Sequence, residues 1–424
     1  MLEIRVIREQ KAQLAERLTK RGAQYGELLD KAIAIDEQRR AHQQELDDLQ
    51  ARMNMLSKEI GDLFKQGERE KAEAAKQETA ELKSQIQRVK EAHDSAAISL
   101  KEALVQIPNA PHESVPIGVS EEDNEVVSTH GDIPDLPEDA KSHWDLGKEY
   151  RLLDMELGVK ITGAGFPIYM GKGAKLERAL ISFFLDKAID AGYVEVVPPL
   201  LVNEDSAFAT GQLPDKEGQM YHATEDDLYL IPTAEVPITN IYRDTINDTK
   251  DLPVKMVGYT PCFRREAGSY GKDVRGLNRV HQFDKVEIVQ IVEPSKSYEV
   301  LDNMVEHVKG LLKDLELPFR VLRLCSGDLG FASVLTFDME VYSAAQKKWL
   351  EVSSISNFET FQTNRLKCRY RDENNKAQLA HSLNGSALAL ARIFAALVEN
   401  GQTPEGIRIP EALRPYTGFE LITK

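Results

Sequence analysis

Heptad spacing in the amino-terminal quarter constrains the fold of this chain more than any other feature. Two series offset by four residues run through the first stretch: Leu28, Ile35, His42, Leu49, Leu56, Leu63, and Ala32, Arg39, Leu46, Met53, Ile60. After a break at Lys65-Gln66-Gly67 the spacing resumes: Ala75, Leu82, Val89, Ala96, Ala103, and Ala72, Thr79, Ile86, His93, Leu100. This spacing is typical of a coiled-coil seam, and long helices joined by a tight turn run antiparallel. The sequence therefore predicts a two-helix hairpin over about residues 28–104, which we expect to project as an arm.

Polar residues occupy a few positions of this predicted seam. His42, His93 and Arg39 could be read as metal ligands, but single polar residues are common in coiled-coil seams. We interpret them as tolerated seam residues.

The length of 424 residues indicates about two or three domains. The predicted arm, residues 1–107, ends at Ile107-Pro108-Asn109, and a stretch rich in Pro, Glu and Asp follows. Such composition is typical of a linker, which we place at residues 108–142, with a second domain at residues 143–424.

Apolar residues make up 42% of the chain, yet no run approaches the ~18 residues needed to cross a bilayer. Because the amino terminus is charged where a signal peptide would be apolar, we expect a cytoplasmic protein without a membrane segment. The three cysteines are far apart and lack a metal-ligand spacing, so we expect buried free thiols and no structural zinc.

The net charge of -16 argues at first against a polyanionic partner. Its distribution weakens that objection, because residues 1–107 hold 19 Lys and Arg against 20 Asp and Glu, a net of -1. A nucleic acid would need a local basic face.

Strands in the second domain are joined by hairpins and long excursions rather than by regular alternation with helices. Strand-like runs lie at residues 193–197, 229–232, 254–259 and 286–292, and helical runs at 174–191 and 298–315. This order predicts an α+β domain with an antiparallel sheet. The sequence has neither a Gly-x-Gly-x-x-Gly after a strand nor a Gly-Lys-Ser/Thr loop. It therefore argues against a Rossmann or a P-loop nucleotide site.

The richest group of candidate catalytic and binding residues lies on a predicted hairpin between Pro261 and Glu287, which has a glycine-rich tip. A two-residue period places Arg264 and Glu266 on one face of the first strand. On the returning strand His281, Phe283, Lys285 and Glu287 share a face. The hairpin could line a cavity, or it could be a surface hairpin with cross-strand ion pairs.

Phe263-Arg264-x-Glu266, a basic loop and His281-Gln282-Phe283 together resemble motif 2 of class II aminoacyl-tRNA synthetases. The similarity is greatest to the seryl-tRNA synthetases and covers nearly the whole chain. It includes His143-Trp144-Asp145-Leu146-Gly147, Thr210-Gly211-Gln212-Leu213-Pro214, Thr233-Ala234-Glu235, Glu351-Val352-Ser353-Ser354 and a motif 3 segment from Asn384 to Arg392. Motif 3 carries Ala387 and Ala391 where the family often has glycine.

The resemblance implies a class II synthetase catalytic domain that makes seryl-adenylate from L-serine and ATP with Mg²⁺ and then charges serine tRNA. Arg264 would contact the α-phosphate, Arg279 the γ-phosphate and Glu266 the adenine amino group. Phe283 would stack on the base, with Arg392 on its other face. The implied catalytic residues are Arg264, Glu266 and Arg392, and the implied ATP-binding set adds Arg265, Arg279, Val280, Phe283, Glu351, Val352, Ser353 and Ser354.

The same resemblance assigns Glu351 and Ser354 as the Mg²⁺ ligands. Because a strict strand period would put them on opposite faces, it requires a bulge or a strand end there. The implied serine-binding residues are Thr233, Ala234, Glu235, Arg264, Glu287, Asn384 and Ser386. Without the resemblance, Thr233-Ala234-Glu235 after Pro232 is typical of a helix N-cap.

The helical run 174–191, the strand after it and Pro198-Pro199 resemble motif 1, on which members of the family build a homodimer. The seryl family also implies an arm that reads the tRNA, with selenocysteine tRNA as a further substrate in some members. Basic residues that could contact RNA are Arg39, Arg40, Arg52, Lys58, Lys65, Arg69, Lys71, Lys76, Lys272 and Arg275. For any one of them taken alone, the sequence favours a solvated surface residue.

Two other functions fit a chain of this kind. A catalytically silent paralogue would keep the fold as a binding protein, but the implied catalytic set is intact. A relative that transfers serine to a carrier protein could do without a long arm, so the predicted hairpin favours tRNA.

Overall fold

The computed structural model describes residues 1–267 and 275–424. The chain divides into two compact units, Met1–Ala110 and Pro111–Lys424.

The first unit is helical. Its helices are α1 Ile4–Glu9, α2 Lys11–Thr19, α3 Gln24–Gln66 and α4 Arg69–Leu104. Gly67 ends α3 with φ of 81°, and the amides of Gly67 and Glu68 donate to the carbonyls of Phe64 and Leu63. Glycine suits this left-handed position because it has no Cβ to clash there. The predicted antiparallel hairpin is therefore confirmed, with its turn at the predicted break.

Burial along the hairpin follows the heptad series over most of its length. Seam residues predicted from the spacing and buried in the structure are Ala32, Leu46, Leu56, Ala72, Leu82, Leu100 and Ala103. Near the start of α3 the buried positions are Leu29 and Asp36, one residue beyond the predicted Leu28 and Ile35. Here α1 and α2 also pack against α3. Burial at the start of α3 therefore depends on this second contact face as well as on the face toward α4.

Asp36 is fully buried in this helical base. Arg8 on α1 and Arg39 on α3 both donate to its carboxylate, at 2.6 and 2.8 Å. A buried carboxylate is costly unless charged donors satisfy it, so this pair of arginines fixes α1 against the hairpin. We assign Arg39 a structural role on this contact.

The second unit combines one large sheet with smaller sheets and helices. Its helices are α5 His143–Glu149, α6 Met155–Ile161, α7 Gly171–Asp190, α8 Glu204–Thr210, α9 Glu235–Asn240, α10 Ser297–Asp314, α11 Thr360–Leu366, α12 Leu390–Asn400 and α13 Arg414–Thr417. Its strands are β1 Glu125–His130, β2 Leu153–Asp154, β3 Ile168–Tyr169, β4 Val194–Glu195, β5 Leu201–Val202, β6 His222–Ala223, β7 Leu228–Leu230, β8 Ile246–Asp248, β9 Val254–Phe263, β10 Gln282–Val292, β11 Phe319–Arg323, β12 Leu335–Ser343, β13 Lys348–Glu359, β14 Arg369–Arg371, β15 Ala377–Leu379, β16 His381–Ala389, β17 Gln402–Thr403, β18 Gly406–Arg408 and β19 Leu421–Ile422.

Among the described residues, eight strands form the large sheet in the order β1-β11-β12-β13-β16-β10-β9-β4. Its neighbours pair antiparallel except for β4 and β9, which pair parallel. The predicted α+β class with an antiparallel sheet is confirmed. Burial of apolar side chains from this sheet against α7, α10 and α12 forms the main core.

The stretch predicted as a linker, residues 108–142, is not a free linker over its whole length. Within it β1 pairs antiparallel with β11 at the edge of the large sheet. Charged residues and proline discourage a strand from pairing with other chains, so they are common on edge strands. They are also common in linkers. Composition alone therefore does not distinguish an edge strand from a linker.

Cys262, Cys325 and Cys368 all lie in the described part of the chain as buried free thiols, as predicted. In the same described part, no helix is both long enough and apolar enough to span a bilayer.

Candidate active site

A cavity of about 600 Å³ opens on the second unit where β9, β10, β13 and β16 meet the start of α12. Most residues that the sequence predicted for the site line it: Thr233, Glu235, Arg264, Glu266, Arg279, Val280, Phe283, Glu287, Glu351, Val352, Ser353, Ser354, Asn384, Ser386 and Arg392. Central strands of one sheet thus bring together segments more than 150 residues apart.

Two residues predicted for the ATP or serine site, Arg265 and Ala234, do not line this cavity. Arg265 is exposed and its backbone amide donates to the Gln219 carbonyl, while Ala234 is fully buried beneath the cavity residues Thr233 and Glu235. Lys272, predicted for RNA contact, lies outside the described residues.

Arg264 follows directly after the end of β9. Its Nε donates to the Pro232 carbonyl at 3.3 Å, and its guanidinium carbon lies 5.2 Å from the ring centroid of Phe283 on β10. The predicted strand period does not reach Arg264 or Glu266, because β9 ends at Phe263, nor His281, because β10 begins at Gln282. For the same reason His281 leaves the predicted face, and its ring stacks on Phe166 at 5.4 Å.

Glu266 and Arg279 form an ion pair across the mouth of the hairpin, with Nη1 and Oε2 2.8 Å apart. Glu266 has φ of 49°, a left-handed conformation that is uncommon for a residue with a side chain. This turn directs the carboxylate into the cavity after the strand pairing has ended.

Arg392 lies in the first turn of α12 and bridges two parts of the cavity wall. Its Nη1 donates to the Glu351 carbonyl at 2.7 Å, and its Nε donates to the Asn278 carbonyl at 3.0 Å. Two backbone acceptors therefore fix the plane of this guanidinium.

A β-bulge in β13 solves the spacing problem of Glu351 and Ser354. Ser353 pairs with Met339 and Glu351 pairs with Glu340, which leaves Val352 as the extra residue. The bulge restores Glu351 to the side of the strand on which Ser354 lies, and both line the cavity. The predicted need for a bulge is confirmed.

Asp338 lies opposite Ser354 on β12 and was missed by sequence reasoning. Burial, together with the nearby charge of Glu351, raises the pKa of the Asp338 carboxyl well above its ordinary range, while a hydrogen bond with Ser354 acts in the other direction. Within the described part of the chain its Oδ1 has no hydrogen-bond partner. This orphaned oxygen lies on the strand beside Ser354, and the Glu351 and Ser354 side chains line the cavity with oxygens of the kind that a hard cation prefers.

The opposite end of the cavity carries buried polar groups. Lys285 Nζ donates to Thr233 Oγ1 at 2.8 Å and pairs with Glu287 Oε2 at 2.7 Å. Ser386 Oγ donates to the same Glu287 oxygen at 3.3 Å. Lys285 was predicted on this face but was given no role, because sequence spacing alone does not show that it bridges two other site residues.

Glu235 lies beside this group at the start of α9, where Gln362 Nε2 donates to its Oε1 at 2.6 Å. Burial, with a further contribution from the charge of Glu287, raises the pKa of the Glu235 carboxyl to about 7. The predicted N-cap is not formed, because Ala234 precedes the first residue of α9 and makes no side-chain cap hydrogen bond. The Glu235 amide instead donates to Thr233 Oγ1 at 3.2 Å, which fixes the Thr233 side chain beside the cavity.

Several residues predicted for RNA contact make salt bridges within the first unit. Arg52 pairs across the hairpin with Glu78, and Lys65, Lys71 and Lys76 each pair with an acidic residue three positions earlier. These pairs are exposed, so they contribute little to stability and leave the cations able to meet another anion. Arg275, by contrast, lies over the Trp144 ring at 4.6 Å in the second unit.

No group of three His, Cys, Asp or Glu side chains in residues 1–267 and 275–424 is arranged to hold a metal ion. The predicted Mg²⁺ ligands Glu351 and Ser354 include a hydroxyl and so do not belong to such a group.

Family models match both units. The model described as "Seryl-tRNA synthetase N-terminal domain" matches residues 1–111, and that described as "tRNA synthetase class II core domain (G, H, P, S and T)" matches residues 219–401.

Curated relatives and solved structures match along the whole chain. "Serine--tRNA ligase" of Salinibacter ruber is 50% identical over 424 residues, covering 100% of this chain and 99% of the relative. A protein of the same name from Neisseria meningitidis serogroup C is 45% identical, covering 99% and 98% of the two chains. The crystal structure of seryl-tRNA synthetase from Pyrococcus horikoshii complexed with ATP matches with a TM-score of 0.92 and 33% identity over 100% of this chain and 99% of that one. The chain therefore belongs to the seryl-tRNA synthetase family.

Proposed function

We propose that this protein joins L-serine to serine tRNA through a seryl-adenylate. The observation that carries this proposal is the division of one cavity into two chemically different ends. Contacts separate the charged lining into two groups: an arginine end with Arg264, Arg279 and Arg392, where Glu266 pairs with Arg279, and an acidic end with Glu235 and Glu287, where Lys285 pairs with Glu287. The negative triphosphate of ATP is complementary to the arginine end, and the positive ammonium group of an amino acid is complementary to the acidic end.

The arginine end suits the triphosphate. In the first step a serine carboxylate oxygen attacks the α-phosphorus of ATP, and pyrophosphate leaves. Because two anions must approach each other, positive charge and alignment supply the catalysis. Arg264 would hold the α-phosphate and Arg279 the γ-phosphate, while Glu266 would accept from the adenine amino group between Phe283 and Arg392. Other proposed ATP contacts are Arg265, Val280, Val352 and Ser353.

The acidic end suits the serine ammonium. Glu235 and Glu287 face one buried cation, Lys285, so the pocket favours a further positive charge when both carboxyls are ionised. Thr233, Ala234, Glu235 and Asn384 would hold the ammonium end, Arg264 the carboxylate, and Glu287 and Ser386 the hydroxyl. A pocket built to hydrogen-bond a hydroxyl disfavours alanine, which would leave these buried groups unpaired.

Glu351 and Ser354 would hold Mg²⁺ with ATP. The bulge at Val352 and the orphaned Asp338 oxygen support this assignment, because they concentrate hard oxygen donors at the arginine end. When bound, the ion neutralises phosphate charge and orients the leaving pyrophosphate.

In the second step the 3′-terminal ribose hydroxyl of the tRNA attacks the seryl carbonyl, and AMP leaves. We assign tRNA reading to the α3–α4 hairpin, with Arg40, Arg52, Lys58, Lys65, Arg69, Lys71 and Lys76 as candidate contacts. Lys272 is a further candidate from the sequence. Arg275 remains one as well, although its contact with Trp144 gives it a structural role.

A cytoplasmic homodimer completes the proposal, on the strength of the family resemblance. A catalytically silent paralogue is not favoured, because relatives of up to 50% identity named as ligases match over the full length.

Pyrophosphate exchange with each of the twenty amino acids tests the activation step. We expect exchange with ATP and serine, and far less with alanine, threonine or cysteine. Exchange that is independent of serine, or absent in a folded preparation, would contradict the proposal.

The raised pKa of Glu235 predicts proton release when serine binds at mildly acidic pH. The serine ammonium favours the ionised carboxylate, so binding lowers a pKa that is about 7 in the free protein. At pH 6 we expect up to about one proton released per serine, and at pH 8 almost none. Serine affinity should therefore rise with pH up to about 7 and then level off.

Titration calorimetry in buffers of different ionisation enthalpy measures this release. Glu235→Gln serves as the matched variant, since it retains the shape of the side chain and cannot release the proton. The same proton release in both proteins at pH 6 would assign it to another group.

A further inference from the structure

We propose that His143, Gln346 and Glu399 form a buried positioning network that holds residues 275–279 at the arginine end of the cavity and thereby orients Arg392 and Arg279. The inference rests on the proposed function, because it assigns these two arginines to ATP. It adds residues that do not contact the substrate.

Glu399 is the centre of the network. It lies near the end of α12 and is fully buried. Its Oε1 accepts from the His143 amide at 2.8 Å, from His143 Nδ1 at 2.7 Å and from Gln346 Nε2 at 2.9 Å, while Ser343 Oγ donates to Oε2. A buried carboxylate with this many donors has a fixed position, since moving it would leave several polar groups unpaired.

His143 transmits this position to the hairpin. Because its Nδ1 faces a carboxylate oxygen, Nδ1 carries the proton and Nε2 is left as an acceptor. The Leu277 amide donates to that Nε2 at 2.8 Å, and both residues are buried. Glu399 thus selects the histidine tautomer that can bind the Leu277 amide.

Residues around Leu277 are shaped to approach His143 closely. Gly276 has φ of 65°, and a Cβ built there would lie 2.2 Å from His143 Nε2 and 2.9 Å from Trp144 Cε3. Arg275 covers the Trp144 ring at 4.6 Å. The segment therefore docks on the start of α5, and glycine is required for the docking.

Gln346 provides a second link from Glu399 to the cavity wall. Asn278 Nδ2 donates to Gln346 Oε1 at 2.9 Å, and Gln346 in turn donates to Glu399. The Asn278 carbonyl then accepts from Arg392 Nε at 3.0 Å. Since Arg392 and Glu399 lie on the same helix, the network closes on one rigid element.

Arg279 follows Asn278 directly and pairs with Glu266. A shift of residues 277 and 278 would therefore displace Arg279 and remove the acceptor that fixes the Arg392 plane. Misplacement of a catalytic group by ~1 Å can cost about 100-fold in rate.

The principal test uses His143→Phe, which keeps an aromatic ring beside Trp144 and removes the acceptor for the Leu277 amide. We expect kcat/KM for ATP in serine-dependent pyrophosphate exchange to fall by about 100-fold, with KM for serine near the wild-type value. His143→Gln, whose amide oxygen can still accept from Leu277, should recover part of the loss.

Two further variants keep the test decisive if His143→Phe folds poorly. Gln346→Leu changes a half-buried residue between β12 and β13. It should lower kcat/KM for ATP by about tenfold, because it removes the hydrogen bond between Asn278 and Gln346. Val308→Ala, a core change on α10, is the matched control for lost stability. We expect it to change the kinetic constants for ATP and for serine alike. Thermal unfolding is recorded for every variant.

A double-mutant cycle distinguishes positioning from a general loss of stability. If His143 acts through Arg392, His143→Phe should cost much less in an Arg392→Ala background than in the wild type. Amide hydrogen exchange gives a readout without catalysis: the peptide containing Leu277 should exchange faster in His143→Phe and at the wild-type rate in Val308→Ala.

Wild-type ATP kinetics in folded His143→Phe and Gln346→Leu would overturn the inference, as would additive effects in the cycle or unchanged exchange at Leu277. A wild-type protein without serine-dependent exchange would instead contradict the proposed function. In that case the hydrogen-exchange comparison still tests the network itself.

Discussion

Arg264→Ala is expected to reduce serine-dependent adenylate formation by on the order of 100-fold or more while the protein stays folded. Arg264 lines the cavity where ATP and the serine carboxylate would meet, and its contacts with the Pro232 carbonyl and the Phe283 ring direct its guanidinium there. Removing one preorganised charge from such a site costs on the order of 3 kcal/mol in the transition state.

Arg264→Lys sharpens this experiment, because it keeps the charge and loses the planar fork that can hold two oxygens at once. We expect an intermediate rate. Arg371→Ala, at an exposed arginine on β14, is the matched control for loss of one positive charge. Pyrophosphate exchange and a single-turnover measurement of adenylate are the readouts. Near-normal exchange by a folded Arg264→Ala protein would remove Arg264 from the mechanism.

Sequence reasoning succeeded where a local pattern determines the geometry. The heptad series predicted the helical hairpin, and Gly67 marked its turn because only a left-handed residue closes α3 in this way. The family resemblance gave Glu351 and Ser354 one ligand, and because the strand period separates them, a bulge or a strand end was predicted; the structure has the bulge.

Sequence reasoning was less successful where contacts join distant segments. Leu29 and Asp36 replace the predicted seam positions because α1 and α2 add a packing face that heptad spacing does not encode. His143 and Glu399 are 256 positions apart, so no periodicity relates them. The family resemblance covered the His143-Trp144 segment but gave His143 no role, and its contact with Leu277 is visible only in the folded chain.

The serine end of the site shows the same limit. A two-residue period correctly grouped Phe283, Lys285 and Glu287, which all line the cavity. It did not predict that Lys285 would bridge Thr233 and Glu287, because Thr233 comes from a segment 52 residues earlier. Asp338 was missed for a similar reason, since its position opposite Ser354 depends on the register of β12 and β13.

Shortening the α3–α4 hairpin should separate the two reactions of the proposed enzyme. Activation uses residues of the second unit, whereas tRNA reading is assigned to the hairpin of the first. We expect a protein without residues 44–90 to retain serine-dependent pyrophosphate exchange near the wild-type rate. Its tRNA charging should fall by on the order of 100-fold, because the deletion removes six candidate phosphate contacts: Arg52, Lys58, Lys65, Arg69, Lys71 and Lys76.

The structure decides where the hairpin can be cut. Asp36 must stay, because it is buried and binds Arg8 of α1. His42 and Ala92 face each other across the hairpin as lining of one surface groove, so Gln43 and Glu91 can be joined by a short Gly-Ser link. The shortened helices keep the packing of α1 and α2 against α3 and lose only the distal seam.

A charge-reversal variant separates loss of RNA contact from loss of hairpin structure. Lys58→Glu with Arg69→Glu in the full-length chain should weaken charging and reduce its dependence on salt, with exchange unchanged. Exchange and aminoacylation are measured in the same preparations, with the oligomeric state checked by light scattering. If the shortened protein lost both activities equally while keeping its fold and oligomeric state, the hairpin would support the active site directly. The division between the two units proposed here would then be wrong.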